Sequence, residues 1–146
     1  VAGRAGREAR PGRVFLQTYR VEHPVMRALA AGDREGFLAA EATARRQSGW
    51  PPFGRLAALI VSGPYEDAVD RVSRILGRQA PRGEGIEVLG PAPAPLALLR
   101  GRFRRRLLLK TSRSVNIQAY LRRWLDAVEV PSSVRVQVDV DPYSFL

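Results

Sequence analysis

Two glycine-arginine pairs, Gly3-Arg4 and Gly6-Arg7, stand three residues apart near the start of the chain. A glycine before each guanidinium lets the backbone come close to a ligand, and planar, permanently charged arginine suits a polyphosphate better than any neutral substrate. In motor ATPases, arginines placed this way neutralise charge on the phosphoryl group being transferred. The same residues also read as a frayed basic terminus. A denser group follows far along the chain: Arg100, Arg102, Arg104, Arg105 and Arg106, with Lys110 beyond them. On a strand, Arg102, Arg104 and Arg106 share one face, and like charges crowded there repel unless an anion sits among them. The strip is either a phosphate-backbone contact, with Phe103 near an exposed base, or a solvated edge strand protected from aggregation by its charge.

Other chemistry is sparse. Asp139 and Asp141 lie two apart on the last β-prone run. No histidine or nucleophile accompanies them, so pairing with the nearby arginine-rich face is expected rather than acid-base catalysis or metal binding. His23 is the only histidine and precedes Pro24, where it reads as a helix-start residue. With no cysteine there is no disulfide framework and no thiolate metal site, so the expectation for metals is none. The chain holds no G-x-x-x-x-G-K-[ST] phosphate loop and is expected to bind no cofactor by itself.

The 146 residues, 45% of them apolar, suffice for one domain with an appendage. A formal charge of +10, carried almost wholly by arginine with Lys110 the only lysine, is the footprint of a polyanion binder. Nucleic acid is therefore the leading partner class. The longest aliphatic run, Leu56 to Val61, is far short of a bilayer span, and no secretory segment opens the chain, so a cytoplasmic protein without a membrane partner is expected.

The elements that must position these residues follow from pattern. Arg13 to Tyr19 is β-prone and reads as a short strand. His23-Pro24 starts a helix stopped by Gly32, and Asp33 caps a second helix to about Ser48. The run Gly49-Trp50-Pro51-Pro52-Phe53-Gly54 is a rigid corner, and the domain boundary is placed there. Beyond it come a strand at Arg55 to Ser62, a helix at Tyr65 to Ala80 and a strand at Ile86 to Leu89. The prolines 91, 93 and 95 belong on a sheet edge or outside it. A hairpin about Gly101 joins Leu96–Arg100 to Phe103–Lys110. A helix carrying Ile117, Leu121, Trp124, Leu125 and Val128 has Ser112 or Ser114 as its cap, and Val134 to Val140 alternates as a half-buried strand. The expected class is α+β: a ferredoxin-like or ribosomal-protein-like split βαβ sheet with two helices on one face, preceded by a strand and connector helices.

The opening VAGRAGR, the corner GWPPFGRLA, the segment VLGPAPAPLALLRGRFRRRLLLKT and the ending RVQVDVDPYSFL, in this order and spacing, resemble the C-terminal part of the bacterial primosomal protein N′ family. The likeness spans essentially the whole chain, with minor departures such as Trp50 before the double proline. It implies a parent that is an ATP-dependent 3′ to 5′ DNA helicase restarting replication at abandoned forks. Its phosphate loop, magnesium and zinc sites would all lie upstream of Val1. Together with the missing initial methionine, this leads us to expect a tail of a larger machine, inactive as an enzyme when detached. The implied division is residues 1–20 as the end of the second helicase lobe, 21–50 as a helical connector and 51–146 as a domain for DNA and partners. Arg4 and Arg7 fall on the arginines of the family's final motor motif. The resemblance also implies forked or branched DNA, other primosome proteins and the acidic, hydrophobic tail of single-strand-binding protein as partners. Gln118 matches a position for that tail, and Arg113 matches with a small shift in register. A stand-alone, non-enzymatic nucleic-acid-binding module similar to a ribosomal protein would explain the charge but not the doubled Gly-Arg opening. A purely structural interaction domain would show no DNA binding even at low salt.

Overall fold

A computed structural model describes residues 14–142, and the chain divides into two units, Val1–Glu41 and Ala42–Leu146. Arg4 and Arg7 lie outside the described residues. The strand expected over Arg13 to Tyr19 is absent from its described part: residues 14–18 hold no regular structure, and Phe15 and Tyr19 are exposed. A β-prone run makes a strand only with a ladder partner, so its composition alone did not suffice.

The two connector helices form where their caps dictate. Helix α1 (Pro24–Ala31) has proline at its first position, and the His23 ring nitrogen Nδ1 accepts from the Val25 N–H at 3.3 Å. Gly32 ends it with a left-handed φ of 66°. Helix α2 (Arg34–Ser48) starts after Asp33, whose Oδ1 accepts from the Gly36 N–H at 2.8 Å. Then comes the proline corner, where the Arg46 guanidinium lies 4.6 Å from the centre of the Phe53 ring.

The larger unit has the connectivity strand, helix, strand, strand, helix, strand: β1 (Gly54–Gly63), α3 (Glu66–Gln79), β2 (Ile86–Leu99), β3 (Arg102–Ser112), α4 (Ile117–Asp126) and β4 (Arg135–Val140). The four strands form one antiparallel sheet in the order β2-β3-β1-β4. The class is α+β, as expected. The two strands expected on either side of the proline run are one long strand, β2, with register shifts between Leu89 and Ala92 and between Pro93 and Leu98. Position at the sheet edge explains this, because an edge strand needs only one of its two rows of hydrogen bonds.

Helices and sheet share a single core. Leu59 and Val61 of β1 and Leu107 and Leu109 of β3 pack with Val69, Val72 and Leu76 of α3 and with Ile117, Leu121 and Trp124 of α4. The Trp124 Nε1–H donates to the Leu76 carbonyl at 3.0 Å, and the Tyr120 hydroxyl donates to the Pro81 carbonyl at 2.8 Å. These two bonds satisfy polar groups that packing would otherwise strand. Helix α4 is capped by Asn116, whose Oδ1 accepts from the Ala119 N–H at 3.0 Å. The expected caps, Ser112 and Ser114, instead bond each other at 2.8 Å. No described helix is long and apolar enough to cross a membrane.

The far end of β4 is clipped to the start of β1. Arg55 Nη2 lies 2.8 Å from Asp141 Oδ2, and the Leu56 N–H donates to Asp141 Oδ1 at 3.2 Å. The Arg55 guanidinium, and secondarily the Leu56 N–H, holds the Asp141 carboxyl below its ordinary range despite partial burial.

Trp124→Ala removes the largest fully buried side chain and is expected to lower unfolding stability by about 3–5 kcal/mol in urea titrations. The Asp141 clip gives a second expectation. Its pKa is lower folded than unfolded, so its contribution is complete above the unfolded value of about 4 and fades as pH falls through the folded one. Asp141→Asn should therefore show a shallower loss of stability on acidification than the wild type. Coincident acid limbs would show that the clip is solvated away.

Candidate nucleic-acid interface

Antiparallel pairing divides the arginines of β3 between two faces. Val61 stands opposite Arg105, Leu59 opposite Leu107 and Ala57 opposite Leu109, so these residues share the face that the helices cover. Ser62 opposite Arg104, Ile60 opposite Arg106 and Leu56 opposite Lys110 share the other face. Arg102, two residues before Arg104, falls there too. Phe103 falls on the helix side and packs against the core, which removes it from the place beside an exposed base that its sequence position invited.

Arg105 is the exception within the expected strip. Its Nη2 is 2.8 Å from Glu66 Oε1 and its Nε is 2.7 Å from Asp70 Oδ1, both on α3, and its side chain is only 16% exposed. The hydrogen bond to Glu66 raises its pKa against the opposing effect of burial, and Asp70 adds to it. This guanidinium ties β3 to α3 and is turned away from the open face.

On that open face, Arg100, Arg102, Arg104 and Arg135 surround a concavity of about 380 Å³, with Ser62 and Gln137 in its wall. Register explains the gathering: Arg104, Ser62 and Arg135 form one row across β3, β1 and β4, and Arg106, Ile60 and Gln137 form the next. Arg102 Nη2 donates to the Ser62 carbonyl at 3.1 Å. Arg104 Nη1 is 3.5 Å from the Leu96 carbonyl, a weak contact at best. None of these four arginines forms an ion pair with a carboxylate among the described residues.

Arg100 owes its place to the tight turn between β2 and β3. Arg100 and Gly101 are the two loop residues, both with positive φ, at 50° and 73°. Such turns favour asparagine or glycine at the first position, so an arginine there carries local strain of about 1 kcal/mol.

The opposite end of the sheet carries two ion pairs. Lys110 is ion-paired with Glu87, and Asp141 with Arg55. The carboxylates were expected to meet the arginine-rich hairpin, but Asp141 lies at the far end of the sheet and meets Arg55 instead. The two residues assigned to a protein tail flank the start of α4: Arg113 Nη1 donates to the Pro52 carbonyl at 3.1 Å, and Gln118 is exposed in the first turn. Among the described residues, no three His, Cys, Asp or Glu side chains come together as a metal site. Arg135 and Gln137 escaped the sequence reading as site residues. Their signal was the alternation with valine that also placed Asp139 and Asp141, but only the pairing of β4 with β1 carries them to the arginines of β3.

This arrangement gathers positive charge around one concavity, and among the described residues no cluster of metal-ligating side chains accompanies it. A family model described as the primosomal protein N C-terminal domain matches residues 46–143. Replication restart protein PriA of Rickettsia felis is 36% identical over 145 residues, covering 99% of this chain and 22% of the relative. The protein of the same name from Synechocystis is 36% identical over 146 residues, covering 99% and 17%, and that from Bacillus subtilis 28% over 155 residues, covering 100% and 19%. The chain thus spans about a fifth of the length of the curated relatives it matches. With the family model covering more than half of it and this identity running along its whole length, the chain belongs to the primosomal protein N C-terminal domain family.

Proposed function

We propose that this chain is the C-terminal portion of an ATP-dependent 3′ to 5′ DNA helicase that restarts replication at stalled forks, and that it grips DNA backbone on the open face of its sheet. The observation that carries this reading is the group of four arginines around one concavity, none neutralised by a carboxylate among the described residues. Each guanidinium offers a fork of donors to non-bridging phosphate oxygens, and each phosphate neutralised releases a counterion. Contacts of this kind hold and orient DNA without reading its bases. Arg106 lies on the same face, and Lys110 there is ion-paired with Glu87. Arg105 is left out of the interface by its two carboxylate partners.

The rest of the parent polypeptide supplies the ATP, magnesium and zinc sites in this reading. Arg4 and Arg7 reach the nucleotide phosphates when the motor lobes close, so the isolated chain hydrolyses nothing. Arg113 and Gln118, exposed at the start of α4, contact the tail of single-strand-binding protein, and other primosome proteins assemble on the parent in the cytoplasm.

Changing Arg102, Arg104 and Arg135 together to Gln should weaken binding of the chain to any DNA sequence and reduce the slope of log K against log salt by up to about 3. An unchanged affinity and slope in a folded variant would reject the interface. In the complete parent, Arg4→Ala or Arg7→Ala should slow ATP turnover by about 10³-fold or more while fork binding persists. Retained DNA-stimulated ATPase in both variants would overturn their role as fingers.

A further inference from the structure

The helix layer carries positive charge of its own. In α3, Val69, Val72 and Leu76 face the core, and Arg71, Arg74 and Arg78, spaced by three and four residues, line the opposite, outward side. All three are exposed, and they span about 10 Å along the helix. The helix also bears Glu66, Asp67 and Asp70, which would cancel them. Arg105 reaches up from the sheet and pairs with both Glu66 and Asp70, drawing the two carboxylates toward the sheet and cancelling one of their two charges, so that Asp67 alone lies unpaired beside the three outer guanidiniums among the described residues. Arg74 Nε donates to the Asp70 backbone carbonyl at 3.2 Å, and none of the three arginines is ion-paired among the described residues. Arg82, just beyond the helix, continues the charge.

We infer that the outer side of α3 is a second phosphate-backbone track, so that the domain holds two separate segments of nucleic acid at once, one on each side of its sheet. This rests on the reading that the open sheet face binds DNA. The buried core lies between the two cationic surfaces, and one convex duplex cannot touch both; a junction or a folded strand can. An acidic protein is the poorer fit, because α3 has no exposed large apolar side chain to anchor one between its arginines.

The test compares the chain, its Arg71/Arg74/Arg78→Gln variant, the corresponding triple Lys variant and the Arg102/Arg104/Arg135→Gln variant. Each is titrated with a linear duplex and with a three-way DNA junction at several salt concentrations. The α3 Gln variant should lose the wild-type preference for the junction, with a junction salt slope lower by up to about 3, while binding the linear duplex within about twofold of wild type. The Lys variant should keep both the preference and the slope, which excludes a folding defect as the cause. Wild-type junction affinity and slope in the α3 Gln variant, with both lowered by the sheet substitutions, would overturn the second track and leave the open-face reading standing. Intact binding in the sheet variant would overturn that reading. Loss of all binding on the α3 substitutions alone would overturn the two-segment arrangement.

Discussion

Strand β3 is hydrogen-bonded on both sides, to β2 and to β1, and that double pairing forces its side chains to alternate strictly between the two faces of the sheet. Five arginines crowded into one hairpin would repel one another if they shared a surface. The alternation sends Arg105 under the helices, where Glu66 and Asp70 neutralise it, and leaves Arg102, Arg104 and Arg106 above. A slip of one residue would bring Leu107 and Leu109 to solvent and arginines into the core. Register is therefore set by the apolar residues of β3, and the distribution of charge follows from it.

The pairing of Arg105 with Glu66 and Asp70 links the two layers. It ties α3 to the sheet and draws two carboxylates to the sheet side of a helix whose outer side carries three arginines. Along the sheet, charge is graded instead of uniform. Lys110 with Glu87 and Arg55 with Asp141 close on themselves at one end, while the turn at Arg100 and the row through Arg104 and Arg135 leave positive charge concentrated at the other. Screening in salt weakens surface pairs, yet a concave cluster of one sign keeps a local field that attracts polyanions.

Much of the architecture was legible because its signals are local. The Pro24 helix start, the Gly32 stop, the Asp33 cap, the apolar face of α3 and the valine alternation of β4 each act within one turn or one strand. The misreadings have other causes. Val14 to Thr18 has strand composition but no strand, the prolines of β2 interrupt a run that the edge position tolerates, and Ser112 and Ser114 bond each other while Asn116 caps α4. For Val14 to Thr18 and for β2 the deciding feature, a ladder partner or its lack, lies outside the window in which the pattern was read, whereas at α4 the choice fell among near neighbours and the serine pair left Asn116 as the cap.

For the interface, composition and spacing were enough to establish a strongly cationic chain, an arginine hairpin and the period-two separation of Arg102, Arg104 and Arg106 from their neighbours. Those properties belong to consecutive residues and need no fold. Only the tertiary structure could decide that Arg105 is spent on α3, that Lys110 is neutralised by Glu87, and that Arg135 and Gln137 complete the concavity. The reason is physical: an ion pair or a shared pocket depends on distance in space, and the pairing of β1 with both β3 and β4 brings residues far apart in the chain into one row.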